Sequence, residues 1–385
     1  MTPAARWAAA ADILDQIGAG EPAEKALTTW ARKSRFAGSK DRAAIRDHVF
    51  DILRCWRSTA ALGGGATGRA RVLGRLRQIG EDPETVFTGD GYALAALTDA
   101  ERAAGDTPDG AVAMDLSDWL FDLFNRDVPG ELDAMGEALR HRAPVFLRVN
   151  TLRADRSAAQ NALAAEGIGT VPHALSETAL EVTEGARRIA QSEAFRSGLV
   201  ELQDLSSQAV VDAIPLEPGM SALDYCAGGG GKTLALAARL KGPVVAHDAD
   251  PKRMSDLPAR AARAGADVTL TQKPVGPFDV VLCDVPCSGS GSWRRAPEGK
   301  WTLTLERLDR LTEIQKEILA EVTGLVAEGG VLVYATCSVL SRENEDQVEA
   351  FLASHPDWTC QRQQRFGFET GGDGFFVAIL TRRGM

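Results

Sequence analysis

The stretch Ser221–Leu240, SALDYCAGGGGKTLALAARL, constrains the fold more than any other part of the chain. An apolar run ends in an acid and a cysteine, four glycines follow, and an Ala/Leu-rich helical segment begins at once. That is strand, tight turn, helix, the first unit of an open α/β sheet, whose ligands sit at the carboxyl ends of the strands beside a helix N-terminus. Gly231-Lys232-Thr233 invites a P-loop reading, but that motif needs a glycine five positions before the last one. The residue there is Cys226, so a phosphate-cradling NTPase is excluded. Taken alone, the glycines serve equally as a sharp connection or as a place where backbone approaches a ligand.

The theme repeats from residue 216 to the end. Strands are expected at 220–225, 243–247, 266–270, 277–283, 330–336 and 374–381, with helices at 232–240, 251–264, 304–328 and 343–354. Such alternation gives a doubly wound α/β domain over 216–385. Residues 141–215 read as a small α+β module, with strands in PVFLRVNTLR, ALEVT and GLVELQD, a helix in RSAAQNALAAEG, and a connecting helix at 206–214. Residues 1–140 read as all helical. The stretch GSKDRAAIRDHVFDILRCWRSTAAL predicts one helix, N-capped by Ser39, with Ile45, Val49, Ile52, Leu53 and Trp56 inward. VAMDLSDWLFDLFNRDV predicts another, burying Leu116, Leu120, Leu123 and Phe124, with Trp119 and Phe121 widening its apolar face.

No apolar run reaches the 18 residues of a membrane span, and the N-terminal MTPAARWAAAADILDQIG carries Asp12 and Asp15 on a helical period, unlike a signal peptide. Six scattered cysteines suit a reducing compartment, so a cytoplasmic location and no membrane partner are expected. The net charge of −10 hides an asymmetry: Arg32–Arg77 holds twelve Arg/Lys against three Asp, and Glu81–Glu137 holds fifteen acids against two Arg. The basic stretch suits either RNA phosphates or a solvated helix face.

Four features fall at strand ends: the glycine turn; Asp248 in VVAHDAD, an acid about twenty residues on that suits a ribose; Asp284 and Cys287 in LCDVPCSGSGSWRRAPEGKW; and Cys337 in LVYATCSVLSREN. A nucleoside-bearing cofactor and thiol chemistry are implied. Cys55, Cys283 and Cys360 read as small buried hydrophobes. A zinc pair of Cys283 with Cys287 fails because strand alternation points them apart; no metal is expected.

LDYCAGGGGKT, DVPCSGSGSWRRAPEGKW, YATCSVLSRENED and GDGFF together resemble the RsmB/Sun family of RNA (cytosine-5) methyltransferases. The likeness runs over about residues 145–385, with LRVNTLR and LVELQDLSSQ similar to the family's small RNA-binding module and, less closely, the helical N-terminus similar to its NusB-like domain. It implies a class I methyltransferase (Rossmann-like) fold with S-adenosylmethionine as cofactor and RNA, ribosomal RNA foremost, as partner, in a monomer. By position Cys226, Ala227, Gly228, Gly229, Gly230, Gly231 and Lys232 would wrap the methionine end, Asp248 would hold the ribose, and Asp284 would flank cofactor and base. Cys337 matches the nucleophile, Cys287 the second cysteine, and Lys232 a lysine at the target base.

The chemistry suits those residue types. Carbon 5 of cytosine attacks a sulfonium methyl only after a thiolate adds to carbon 6, and a free thiol with a pKa near ~8.5 must be activated for that. Asp284, desolvated and with a raised pKa, would protonate N3. The base must leave any stack; Arg294, Arg295 and Lys300 would hold its phosphates, with Trp293 stacking. Two departures stand out. Gly229 replaces the family's proline, predicting a looser turn and weaker cofactor binding. Gln272 and Lys273 stand where the family has an adenine-side Asp. The competing readings are a non-catalytic RNA-binding assembly factor that keeps the fold, and a DNA methyltransferase, in which Cys287 would be the nucleophile.

Overall fold

The chain divides into two units, Met1–Arg142 with Trp293–Thr302, and Ala143–Ser292 with Leu303–Met385. The computed structural model describes residues 1–128 and 130–383. The segment 293–302, expected inside the α/β domain, is grouped with the helices.

In the first unit, helices Pro3–Gly18, Ala23–Lys33, Ser39–Arg54 and Gly68–Ile79 bury one apolar face each. Ile13, Leu14, Ile45, Val49, Ile52, Leu53, Val72, Leu76 and Phe87 make their common core, against which Trp301 packs. Three expectations need correction. The helix expected to run on past Arg54 breaks at Cys55, and a second begins at Trp56. The N-cap of the helix Ser39–Arg54 is Gly38, with Asp41 accepting from the Gly38 N–H; Ser39 is the first helical residue. The Trp119 helix also splits, at Asp115. Asp115 takes a φ of +53° and turns its buried carboxylate onto the Arg57 and Ser58 N–H groups, both at 2.9 Å. Those are the orphan donors at the start of the helix Trp56–Gly63, where an anion is stabilising.

The second unit holds two sheets. The smaller contains β1 (Phe146–Val149), β2 (Thr170–Pro172), β3 (Ala179–Val182) and β4 (Val200–Leu202), ordered β2-β3-β1-β4 and antiparallel throughout. The larger contains β5 (Ala222–Asp224), β6 (Val244–Ala246), β7 (Val268–Leu270), β8 (Phe278–Asp284), β9 (Val326–Thr336), β10 (Trp358–Phe366) and β11 (Phe375–Arg382), ordered β10-β11-β9-β8-β5-β6-β7. β7, β6, β5, β8 and β9 run parallel; β11 joins β9 and β10 antiparallel. From β5 the chain moves outward through β6 and β7, then returns to β8. The order therefore reverses at β5/β8, and the crevice beyond their carboxyl ends is the ligand position of a doubly wound sheet.

Both faces of the sheet are apolar. Val244, Val280, Leu282, Val333 and Val377 face the helices Leu205–Asp212 and Gly231–Leu240, and Leu223, Val281, Cys283, Leu332 and Phe376 face the other layer. The small sheet is tied on by Asn150, whose Nδ2 donates to the Ala264 carbonyl at 2.7 Å, and by Arg148, which donates to the Gly231 carbonyl at 2.8 Å. The latter bond holds the first turn of the glycine-loop helix. Among the described residues no helix is long and apolar enough to cross a membrane.

Candidate active site

The glycine turn is shaped by backbone that side chains rarely adopt. Gly228 and Gly230 have φ of +50° and +81°, the left-handed region that glycine enters freely. A Cβ on Gly230 would lie 2.2 Å from Leu257 Cδ1. The turn delivers the chain into the helix Gly231–Leu240, so its N-terminus faces the crevice. Asp248, buried after β6, closes the turn from the other side. Its Oδ2 accepts from the Gly228 N–H at 2.9 Å, its Oδ1 accepts from the Asp250 N–H at 2.9 Å, and Arg253 pairs with it at 3.1 Å. Gly229 is exposed, and its carbonyl accepts from Arg260.

Lys232 leaves the first turn of that helix, is 7% exposed, and donates its Nζ to Asp284 Oδ2 at 2.7 Å. Its ammonium also sits 4.9 Å from the centre of the Phe375 ring, which places the GDGFF segment under the site. Burial opposes the ammonium, but the Asp284 carboxylate outweighs it and the pKa is raised on balance. Asp284, expected to be partly desolvated, has its side chain 31% exposed and paired with Lys232.

The two cysteines meet. Cys287 follows β8, Cys337 follows β9, and their sulfurs are 3.4 Å apart. The shared hydrogen bond with Cys337, then burial, then the charges of Cys337 and Glu343 push the Cys287 thiol well above its ordinary pKa. Cys283, one strand turn earlier, lies in the core on the far side of the sheet, so the two do not form a metal pair. Cys55 is buried, whereas Cys360, expected to be, is only half-buried on β10.

The residues expected at RNA phosphates are corrected. Trp293 and Lys300 are each 1% exposed and Arg294 is 5% exposed. Trp293 packs on Phe124 at a centroid distance of 6.0 Å, Lys300 Nζ donates to the Arg54 carbonyl at 2.9 Å, and Arg54 Nε donates to the Arg294 carbonyl at 2.8 Å. Burial lowers the Lys300 pKa to about 8. Only Arg295 of the four is exposed. Gln272 and Lys273 lie exposed beyond β7. Part of the basic stretch is also spent internally: Arg57 pairs with Asp118 at 2.6 Å and Arg69 with Glu101 at 2.6 Å, both partners from the acidic block. Arg32, Arg35 and Arg42 line a shallow concavity with Thr28 and Ala31, and no ion pair holds them among the described residues.

Asp224 and Glu343 were not anticipated. Asp224, the last residue of β5, is 1% exposed. Its Oδ2 accepts from Thr233 Oγ1 at 2.6 Å, but its Oδ1 is buried without a partner. Burial first, then the nearby Asp284, raise its pKa to about 7 against the Thr233 bond that lowers it. An orphaned acceptor beside a glycine turn is a place for a ligand's cation. The turn, the buried ribose-side acid and this acceptor fit S-adenosylmethionine: Asp224 and Cys226–Lys232 would hold its amino-acid end and Asp248 its ribose. The sequence signal was there, an acid closing the first strand in LDYC.

An open sheet that reverses at β5/β8, with a glycine turn and an acid at successive strand ends, defines a Rossmann-like domain built to bind a nucleoside-bearing cofactor. Residues 212–381 match the family described as 16S rRNA methyltransferase RsmB/F, and residues 116–187 match the Methyltr_RsmF/B-like, ferredoxin-like domain. The chain belongs to the RsmB/F methyltransferase family, whose cofactor is S-adenosylmethionine. Its relatives include the ribosomal RNA small subunit methyltransferase B of Citrobacter koseri, 34% identical over 283 residues, which are 69% of this chain and 66% of that protein. The chain thus spans just under two thirds of that relative's length. The solved structure of PH0851 shares the fold over 99% of both chains, with a TM-score of 0.77 at 22% identity. A methyltransferase homolog protein from Pyrococcus horikoshii shares it over 71% of this chain and 98% of that one, with a TM-score of 0.64 at 23% identity.

Proposed function

We propose that the chain methylates carbon 5 of a cytidine in ribosomal RNA, through a transient bond between Cys337 Sγ and carbon 6 of the base. The observation that carries this reading is the pair of thiols from two different strand ends, 3.4 Å apart. The Lys232–Asp284 ion pair at the neighbouring strand end supports it.

Cys337 adds as thiolate to carbon 6, and the displaced electron pair runs through the ring to N3. The Lys232–Asp284 pair receives that charge, by proton or hydrogen bond, and carbon 5 becomes nucleophilic. S-adenosylmethionine, when bound, supplies the electrophilic methyl that carbon 5 takes. A base then removes the proton on carbon 5, any proton taken up at N3 returns to the Lys232–Asp284 pair, the electron pair re-forms the ring double bond, and Cys337 leaves as thiolate. Cys287 is the group beside the leaving sulfur and assists that last step. The printed name of the Citrobacter relative supports a ribosomal substrate, and such a substrate, with cysteines in no disulfide framework, supports a cytoplasmic activity.

RNA would be gathered by the helical residues 1–140 and the small module 141–215. Arg32, Arg35 and Arg42, with Phe36, next to Arg35 in the chain, 77% exposed, offer cations and an aromatic face, the two elements of single-strand binding.

The test is mass-spectrometric mapping of 5-methylcytidine in ribosomal RNA from cells lacking the protein. One cytidine should lose its methyl group and regain it when the wild-type protein, but not Cys337→Ala, is supplied. An unchanged methylation map would refute the proposal.

A further inference from the structure

Each cysteine is followed by a serine, and both serines reach the same carboxylate. Ser288 donates its N–H to Glu343 Oε1 at 2.8 Å and its hydroxyl to Oε2; the Ser338 hydroxyl also donates to Oε2. Gln315 Nε2 bridges Glu343 Oε1 at 3.1 Å and the Pro286 carbonyl at 3.0 Å, so the residue before Cys287 is held as well. Glu343 is 0% exposed, and its own carbonyl accepts from Tyr334 Oη at 2.6 Å. Among the described residues no cation pairs with it. A buried carboxyl group satisfied only by hydrogen bonds is costly to keep unless its partners are fixed. Here those partners belong to the two loops that carry the thiols.

A second tie runs beneath the first. Ser290 Oγ meets Ser338 Oγ at 2.9 Å and accepts from the Val339 N–H at 3.0 Å, and the Gly291 N–H donates to the Cys337 carbonyl at 3.0 Å. These bonds join the loops but touch neither Cys287 nor the residues flanking it on both sides. Ser288 Oγ and Ser338 Oγ also meet directly, at 3.4 Å, but both hydroxyls are held by Glu343, the carboxylate that engages both loops immediately beside the sulfurs.

We propose that Glu343 is the positioning residue of the cysteine pair: its carboxylate clamps the β8 and β9 loops so that the two sulfurs are held in register for addition and release. This rests on the covalent reading above. A misplacement of about 1 Å at a reacting group costs ~10²-fold in rate, and the clamp holds the sulfurs to that tolerance.

The experiment compares full-length wild type, Glu343→Ala and Glu343→Gln for turnover at saturating RNA and S-adenosylmethionine, cofactor affinity by calorimetry, and the rate at which diamide links Cys287 to Cys337, read by peptide mapping. Glu343→Ala should lose ~10²-fold in kcat and ~10-fold in linkage rate, with cofactor affinity unchanged. Glu343→Gln, which keeps the shape and enough acceptors and donors for both serines, should recover most of both. If Glu343→Ala fails to fold, the double variant Ser288→Ala/Ser338→Ala reads the same losses. Wild-type kcat and linkage rate in Glu343→Ala or in the double variant would overturn the proposal, as would a Gln variant as poor as Ala. If the wild type makes no 5-methylcytidine, the covalent reading fails, while the linkage rates still decide the clamp.

Discussion

Cys287 Sγ and Cys337 Sγ lie 3.4 Å apart although fifty positions separate them in the chain. β8 and β9 are parallel neighbours, with Asp284 opposite Ala335, so the loops after them emerge at the same edge. The pair therefore follows from sheet register. In the proposed reaction the two sulfurs have separate roles, one adding to the base and its neighbour helping it leave. Cys337→Ala should abolish turnover. Cys287→Ala should form the bond and fail to break it, leaving an RNA adduct that survives a denaturing gel. Gel analysis of both variants with radiolabelled RNA checks this; an adduct in Cys337→Ala but not in Cys287→Ala would reverse the assignment.

Asp224 gives a pH signature. Its carboxyl, with a pKa raised by burial to about 7, stays protonated in the folded chain where the unfolded chain has lost the proton. Between the ordinary value of 3.8 and about 7 the folded state binds more protons, so stability falls as pH rises through that window. Cofactor affinity should move the opposite way, because a cationic amine is held better by the ionised form. Calorimetry with S-adenosylmethionine should show affinity rising up to about pH 7 and then levelling, and Asp224→Asn should flatten both trends. A wild-type affinity independent of pH from about 5.5 to 8, the range that brackets this titration, would contradict the assignment of Asp224 to the ligand's cation.

The glycine turn was the most legible part of the molecule, because a strand, four glycines and a helix leave few alternatives. The β/α alternation was equally readable, and Asp248, Asp284, Cys287 and Cys337 stood out because they follow or close strands, although Asp224, which also closes one, was passed over. What escaped had no apolar period. β10, WTCQRQQRF, is an edge strand buried at its two ends and exposed between them, so alternation gave no signal. The Asp115 break was hidden because its cause is a carboxylate capping a helix more than fifty residues earlier. Trp293 and Lys300 looked like surface residues because a basic, Gly/Pro-rich stretch usually is one; only tertiary packing shows them buried.

Within that turn, two neighbouring glycines should respond in opposite ways. Gly230 has a left-handed φ and no room for a Cβ, so Gly230→Ala should destabilise the protein by about 1–3 kcal/mol and weaken cofactor binding. Gly229 lies outside the left-handed region, and a Cβ there would meet only Arg260 Nη1, at 3.1 Å. Gly229→Pro restores the family's residue and should stabilise by about 0.4–1 kcal/mol, by restricting the unfolded chain, while tightening cofactor binding. Thermal melts and calorimetry on both variants check the pair. Destabilisation by Gly229→Pro would show that the loop depends on freedom the family has given up.

The basic surface should be narrow. Arg57 and Arg69 are paired internally and Lys300 is buried, so the helical unit presents Arg32, Arg35 and Arg42, unpaired among the described residues, around one concavity. Each contact to a phosphate adds roughly 0.7 to the slope of log affinity against log salt for single-stranded RNA. Arg32→Ala, Arg35→Ala and Arg42→Ala should each weaken RNA binding and lower that slope by up to about 0.7, with cofactor affinity unchanged. Lys300→Met should leave the slope as it is and act only on stability. Burial has already depressed this ammonium to about 8, so its cost to the fold is largest below that pH and fades as pH rises toward the ordinary lysine value. Fluorescence-anisotropy titrations with ribosomal RNA fragments at several salt concentrations decide the matter. A slope that drops for Lys300→Met but not for the three arginine variants would move the RNA contact away from this surface.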